Sequence, residues 1–199
     1  GDQIVLERND EYWNGTAAFE TCIIKTVTDN NTAVLAVESG EADVALNLPL
    51  DALVNINNPD VTWDSALSFE CGYLQYNFLE SSWAGNDTNF RKAVQYGVDK
   101  DAINQAVFYG QTNTPAILGD ETWTGRPADG TYESYTYDLE KAKEYLAASD
   151  YDGREFRVVT WAGTNLEKAA QVMQASLLEV GINMKIVPVD RATFWDEVR

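Results

Sequence analysis

The chain has no histidine, only two cysteines, and 14 basic residues against 32 acidic ones. Each shortage removes a class of function. Without imidazole there is no Ser-His-Asp or Cys-His catalysis, and no zinc site that relies on a histidine ligand. Cys22 and Cys71 are not in a CxxC arrangement. Each lies in or beside a strand-like segment, where a thiol behaves as a small hydrophobe, so free cysteines are expected over a disulfide. A net charge of −18 with scattered Lys and Arg argues against nucleic acid, whose phosphates require clustered cations. No apolar run approaches the ~20 residues of a membrane helix. The acid excess reads as a solvated surface or, more sharply, as a cation-steering or calcium-loaded one. The nearest candidate metal loop, Asp150-Tyr151-Asp152-Gly153, lacks the later glutamate of an EF-hand and reads as a turn. Nothing in the chain calls for a cofactor or a metal.

What is present is a folded, aromatic-rich chain of 199 residues, 45% hydrophobic and 12% aromatic, long enough for one domain or at most two. Strand-like and helix-like segments alternate. Residues 3–8 and 21–27 read as strands. A helix follows from Asn30-Asn31 to Gly40, then a strand over Ala42–Leu46, a short helix after Pro49, and a strand over Val61–Leu67. A strand through Tyr73–Phe78 precedes two helices signalled by Asp87 and Asp99. Residues 110–137 are irregular, Asp138 caps another helix, and 155–161 is a strand. Thr164 and Glu167 form a capping-box pair ahead of a helix ended by Gly181; a strand over 183–189 and a last helix from Asp190 follow. Alternation of this kind predicts an α/β fold with a mixed sheet, residues 1–199 forming a single lobe. Both ends read as cut, the last helix meeting no stop signal.

The stretch from Glu70 to Phe108 carries the most information. Tyr73-Leu74-Gln75-Tyr76-Asn77 is followed by Asp87, by Arg91-Lys92-Ala93-Val94, and by Val98-Asp99-Lys100-Asp101-Ala102-Ile103. This order resembles the peptide-type (family 5) solute-binding proteins that serve ABC importers. Four further pieces are similar to that family in the same order: Gly1 to Trp13, Glu38 to Ala45, Tyr137 to Lys143 with Leu139 where the family has proline, and Val180 to Ile186 with Thr193-Phe194. The resemblance implies a lobe of the type II periplasmic-binding-protein fold and a hinged clamp that closes on its ligand. It implies a non-catalytic protein outside the cytoplasmic membrane, periplasmic or tethered by a lipid anchor beyond these residues. Its partners would be a peptide and the ABC permease. It also implies that the acid pairing with a ligand's amino terminus falls after Arg199, so that residues 1–199 alone bind ligand weakly or not at all.

The same resemblance places ligand contacts near the start of the Tyr73 strand. Tyr73 and Gln75 share one face of it, with Glu70, Cys71 and Gly72 at its mouth. Tyr73 reads equally as a core aromatic. Trp161 and Ala162 end a strand before a helix N-terminus, and ligands of α/β sheets bind outside strand ends; Trp161 reads equally as a packing residue at the lobe edge. Asp87 and Arg91 are assigned to capping and helix pairing, and the other tryptophans receive no role. Two other classes stay open. A two-carboxylate glycoside hydrolase needs an acid pair at a defined separation, and none is singled out. A structural cell-surface domain would tolerate the composition. Nickel chelates remain a ligand option, weakened by the missing histidines.

Overall fold

The computed structural model describes residues 2–66, 70–114 and 134–198. The chain divides into two compact units, Gly1–Asp64 and Ser65–Arg199.

In the first unit, β1 (Gln3–Glu7) and β2 (Thr21–Lys25) form an antiparallel ribbon in which Ile4 faces Ile24 and Val5 faces Ile23. The ladder continues past both ends through Arg8 N–H to the Glu20 carbonyl (2.9 Å) and Thr26 N–H to the Asp2 carbonyl (3.0 Å). Helix α1 (Asn30–Glu38) starts one residue later than its cap, Asp29, whose carboxylate accepts from Thr32 N–H at 2.8 Å. At its other end the Glu38 carboxylate accepts from the backbone N–H groups of Asn57 and Asn58, tying in the loop after α2 (Leu50–Leu53).

The second unit holds the main core. Helices α3 (Trp83–Asn86), α4 (Thr88–Gly97), α5 (Lys100–Phe108) and α6 (Leu139–Ala147) precede a β-α-β unit. That unit comprises β3 (Phe156–Trp161), α7 (Asn165–Val180) and β4 (Met184–Val189), the strands parallel with Phe156 opposite Met184 and Trp161 opposite Val189. A short α8 (Phe194–Glu197) follows. The caps read from sequence are in place: Asp87, Asp99 and Asp138 each accept from the backbone N–H three residues on, at 2.8–3.0 Å. The Asp87 carboxylate also accepts from Asp150 N–H at 2.8 Å, so one acid fixes both the start of α4 and the turn after α6. Phe90, Leu177 and Ile182 are the largest fully buried side chains. Phe90 lies 4.7–5.4 Å from the ring centres of Trp83, Phe156 and Tyr151. Both cysteines are free and half-buried.

Several sequence expectations are corrected. Ala42–Leu46 and Tyr73–Phe78 are not strands, nor is Val61–Leu67 as far as residue 66; Leu67 lies outside the described residues. Their β-prone side chains fit a pleated surface, but a strand also needs a hydrogen-bonded neighbour, and none pairs with them among the described residues. The strands that do form make two separate two-stranded ladders, one antiparallel and one parallel. The capping box at Thr164 is rearranged: its hydroxyl donates to the Trp161 carbonyl at 2.7 Å, and Glu167 reaches one residue further back, accepting from Gly163 N–H at 2.7 Å. The final helix is limited to α8, because Asp190 holds residues 190–193 as a turn. Residues 115–133 of the irregular stretch, with Trp123, lie outside the described residues.

Candidate functional site

The carboxyl ends of β3 and β4 organise the candidate site. Period-two alternation buries Phe156, Val158 and Thr160 and turns Arg157, Val159 and Trp161 to the other face. Ala162 N–H extends the parallel pairing by one bond, to the Val189 carbonyl at 2.9 Å. The chain then turns at Gly163, fixed by the Thr164 and Glu167 bonds, and enters α7. The Trp161 ring meets Phe194 edge-on, centres 5.5 Å apart at 73°, and the Arg191 guanidinium carbon sits 4.9 Å from its centre. Its indole Nε1 is buried and meets no acceptor among the described residues.

The segment carrying the other predicted residues keeps the alternation of a strand without its ladder. Leu74 and Tyr76 pack on the core, Tyr76 stacking on Phe156 at 6.2 Å. The Tyr76 hydroxyl is buried without a partner among the described residues, and that burial raises its pKa well above the ordinary phenol value, opposed in part by the Arg91 charge. Tyr73 and Gln75 point the opposite way. Tyr73 is 67% exposed, so it is not the core aromatic that the sequence left open. Glu70 is exposed, and Cys71 is half-buried with its thiol 3.7 Å from the Gly72 carbonyl. A methyl group at Gly72 would lie 3.5 Å from Leu166 Cδ2, in the first turn of α7. The structure therefore brings Gly72 beside the turn that follows Trp161 and Ala162, through Leu166. Arg191 and Phe194 were not singled out from sequence, where they read only as the opening of a helix. No local sequence signal marks them, because what brings them to Trp161 is the pairing of β3 with β4 across the length of α7.

Asp87 and Arg91 stay in the scaffold. The Arg91 guanidinium donates to the Gly85 carbonyl and, at 3.1 Å, to the Thr88 hydroxyl, linking α3 to α4.

The profile of the bacterial extracellular solute-binding proteins, family 5 middle region, matches residues 1–199. The chain belongs to that family. It is 27% identical over 196 residues to the dipeptide-binding protein of Escherichia coli K12, covering 94% of this chain and 35% of that protein. It is 28% identical over 215 residues to the oligopeptide-binding protein AppA of Bacillus subtilis 168, covering all of this chain and 39% of that one. The family 5 chain thus spans little more than a third of the length of these relatives. Two solved structures share its fold. AppA from Bacillus subtilis in complex with a nonapeptide has a TM-score of 0.69 at 24% identity, over 98% of this chain and 41% of that one. NikA from Brucella suis in complex with Fe(III)-EDTA has a TM-score of 0.75 at 22% identity, over 99% and 43% respectively. The mixed α/β class read from sequence is the class of these solute-binding proteins.

Proposed function

We propose that residues 1–199 are part of one lobe of a two-lobed, extracytoplasmic solute-binding protein that captures peptides and delivers them to an ABC permease. The observation that carries this reading is the family match along the entire chain, supported by relatives whose names specify dipeptides and oligopeptides. Capture of this kind needs no bond-making chemistry. Affinity comes from apolar burial, backbone hydrogen bonds and closure of the clamp. The ligand-facing elements on this side are Tyr73 and Gln75, the Glu70-Cys71-Gly72 mouth, and the Trp161-Ala162 turn. Membrane association, in this reading, runs through a lipid anchor outside these residues or is absent in a periplasmic form.

A thermal-shift and calorimetric screen of the full-length protein against dipeptides, oligopeptides, sugars and Ni²⁺ tests the proposal. Peptides are expected to raise the melting temperature. Tyr73→Ala and Gln75→Ala should weaken that response about 5- to 30-fold while leaving the ligand-free melting temperature unchanged, because both side chains are solvent-facing. Stabilisation by sugars alone, or by nothing in the screen, would overturn the peptide reading.

A further inference from the structure

The basic residues of the chain are few, and nearly all of those described are engaged. Seven of those described sit on carboxylates, from Arg8 on Asp10 to Lys185 on Glu155. Arg91 and Lys100 donate to backbone carbonyls, and Lys92 and Lys168 have interactions of their own. Arg191 is different. It is exposed, lies two residues beyond β4, and meets neither a carboxylate nor a carbonyl among the described residues; its contact is the face of Trp161. Two nearby acids are already committed, and Asp196, five residues on, forms no ion pair with it among the described residues. Asp190 accepts from the backbone N–H groups of Ala192 and Thr193 at 2.8 and 3.0 Å, and Glu197 takes the Arg157 guanidinium.

The Arg191 guanidinium, set over the Trp161 ring, makes no hydrogen bond among the described residues, so its N–H fork is available to hold a carboxylate bidentately. The Trp161 indole N–H is a second donor, buried and without an acceptor among the described residues, a state that costs free energy until an acceptor arrives. Both donors lie at the carboxyl ends of a parallel strand pair, beside the Trp161-Ala162 turn, where α/β sheets take ligands. A surface of net charge −18 repels anions in general, so an unpaired guanidinium at this place acts against the field of the rest of the chain.

We propose that Arg191, braced on Trp161, binds a carboxylate of the solute and sets a preference for carboxylate-bearing ligands. This rests on the reading of the chain as a solute-binding lobe. The carboxylate comes from a peptide's C-terminus or from an acidic side chain, and three probes separate the two: tetraalanine, its C-terminal amide, and that amide with one alanine replaced by glutamate. Calorimetry of the full-length protein is expected to show one or both carboxylate-bearing peptides binding about 10- to 100-fold more tightly than the plain amide. Arg191→Gln should reduce that preference to near unity without lowering the ligand-free melting temperature. Arg191→Lys should restore only part of it, since a point charge lacks the fork. A preference that survives Arg191→Gln, or its absence in the unmodified protein, overturns the proposal. If none of the three peptides binds, the peptide reading fails, and succinate titrated against the Trp161 indole N–H resonance decides the carboxylate proposal. A shift lost in Arg191→Gln supports it, and no shift overturns it.

Discussion

Gly97 is the point at which three helices meet, and replacing it with alanine sets two effects against each other. It is the last residue of α4. A methyl group there would lie 2.7 Å from Val180 Cγ2, 3.1 Å from Leu177 Cδ2 and 3.5 Å from Ala142 Cβ, so α6 and α7 both press on the same spot. Alanine is the better helix former by up to ~1 kcal/mol, less at a helix end. Against this stands the overlap. Leu177 is 0% exposed and Val180 5% exposed, so neither can swing into solvent, and overpacking of this kind costs about 1–3 kcal/mol. The steric side wins, and Gly97→Ala is expected to destabilise by about 1–2 kcal/mol, lowering the melting temperature by a few degrees. Urea unfolding of four proteins checks the cause: the parent, Gly97→Ala, Val180→Ala and the double variant. In the Val180→Ala background the closest clash is gone, so the cost of the new methyl should shrink towards zero or become a gain. Equal or higher stability of Gly97→Ala, or a cost unchanged by Val180→Ala, would refute the reasoning.

Two further outcomes follow from the same kind of contact. A methyl group at Gly85 would sit 1.7 Å from the Asn77 carbonyl oxygen and 2.7 Å from its carbon, backbone atoms with no rotamer to adopt. Gly85→Ala should therefore cost at least ~3 kcal/mol, or push α3 away from the segment that presents Tyr73 and Gln75; a parental melting curve with parental ligand affinity would exclude both. Asp190 has its pKa lowered by hydrogen bonds from Thr193 N–H and then Ala192 N–H. A lowered carboxylate pKa contributes stability above the unfolded value, and that contribution is lost as pH falls through the folded value. The turn bearing Arg191 should accordingly loosen in acid, with the Asp190 carboxyl titrating below the ordinary aspartate range by NMR; titration at or above that range would contradict the assigned bonds.

How far the sequence announced this structure depends on whether a signal was local. Asp87, Asp99 and Asp138 cap helices in the way their spacing implies, since a cap is settled within four residues. The alternation of Leu74 and Tyr76 against Tyr73 and Gln75 was legible for the same reason. The ladder was not. Whether Tyr73–Phe78 or Ala42–Leu46 becomes a strand is decided by a neighbour distant in sequence, and β propensity carries no information about that neighbour. The Thr164 signature misled at short range, because the Trp161 carbonyl competes for the hydroxyl. Trp161 was placed by its position at a strand end. Arg191 was hidden, because its significance comes from the parallel register that sets Val189 beside Trp161, a pairing across the length of α7.

If the candidate residues contact ligand as proposed, the same alternation that positions them separates recognition from stability. Along 73–76, anchoring residues and presented residues share one backbone but point to opposite sides, so Leu74 and Tyr76 pack on the core while Tyr73 and Gln75 leave no hole when truncated. Along β3, Phe156, Val158 and Thr160 are buried, and Trp161 falls on the outward phase at the strand's last position. Its packing partners, Arg191 and Phe194, come from the turn and short helix after β4 and are absent from the buried core cluster. A change at Arg191 therefore alters the chemistry offered at the strand ends without opening a cavity around Phe90 or Leu177. Loss of carboxylate preference there, at unchanged melting temperature, is assignable to the contact itself and not to loosening of the fold.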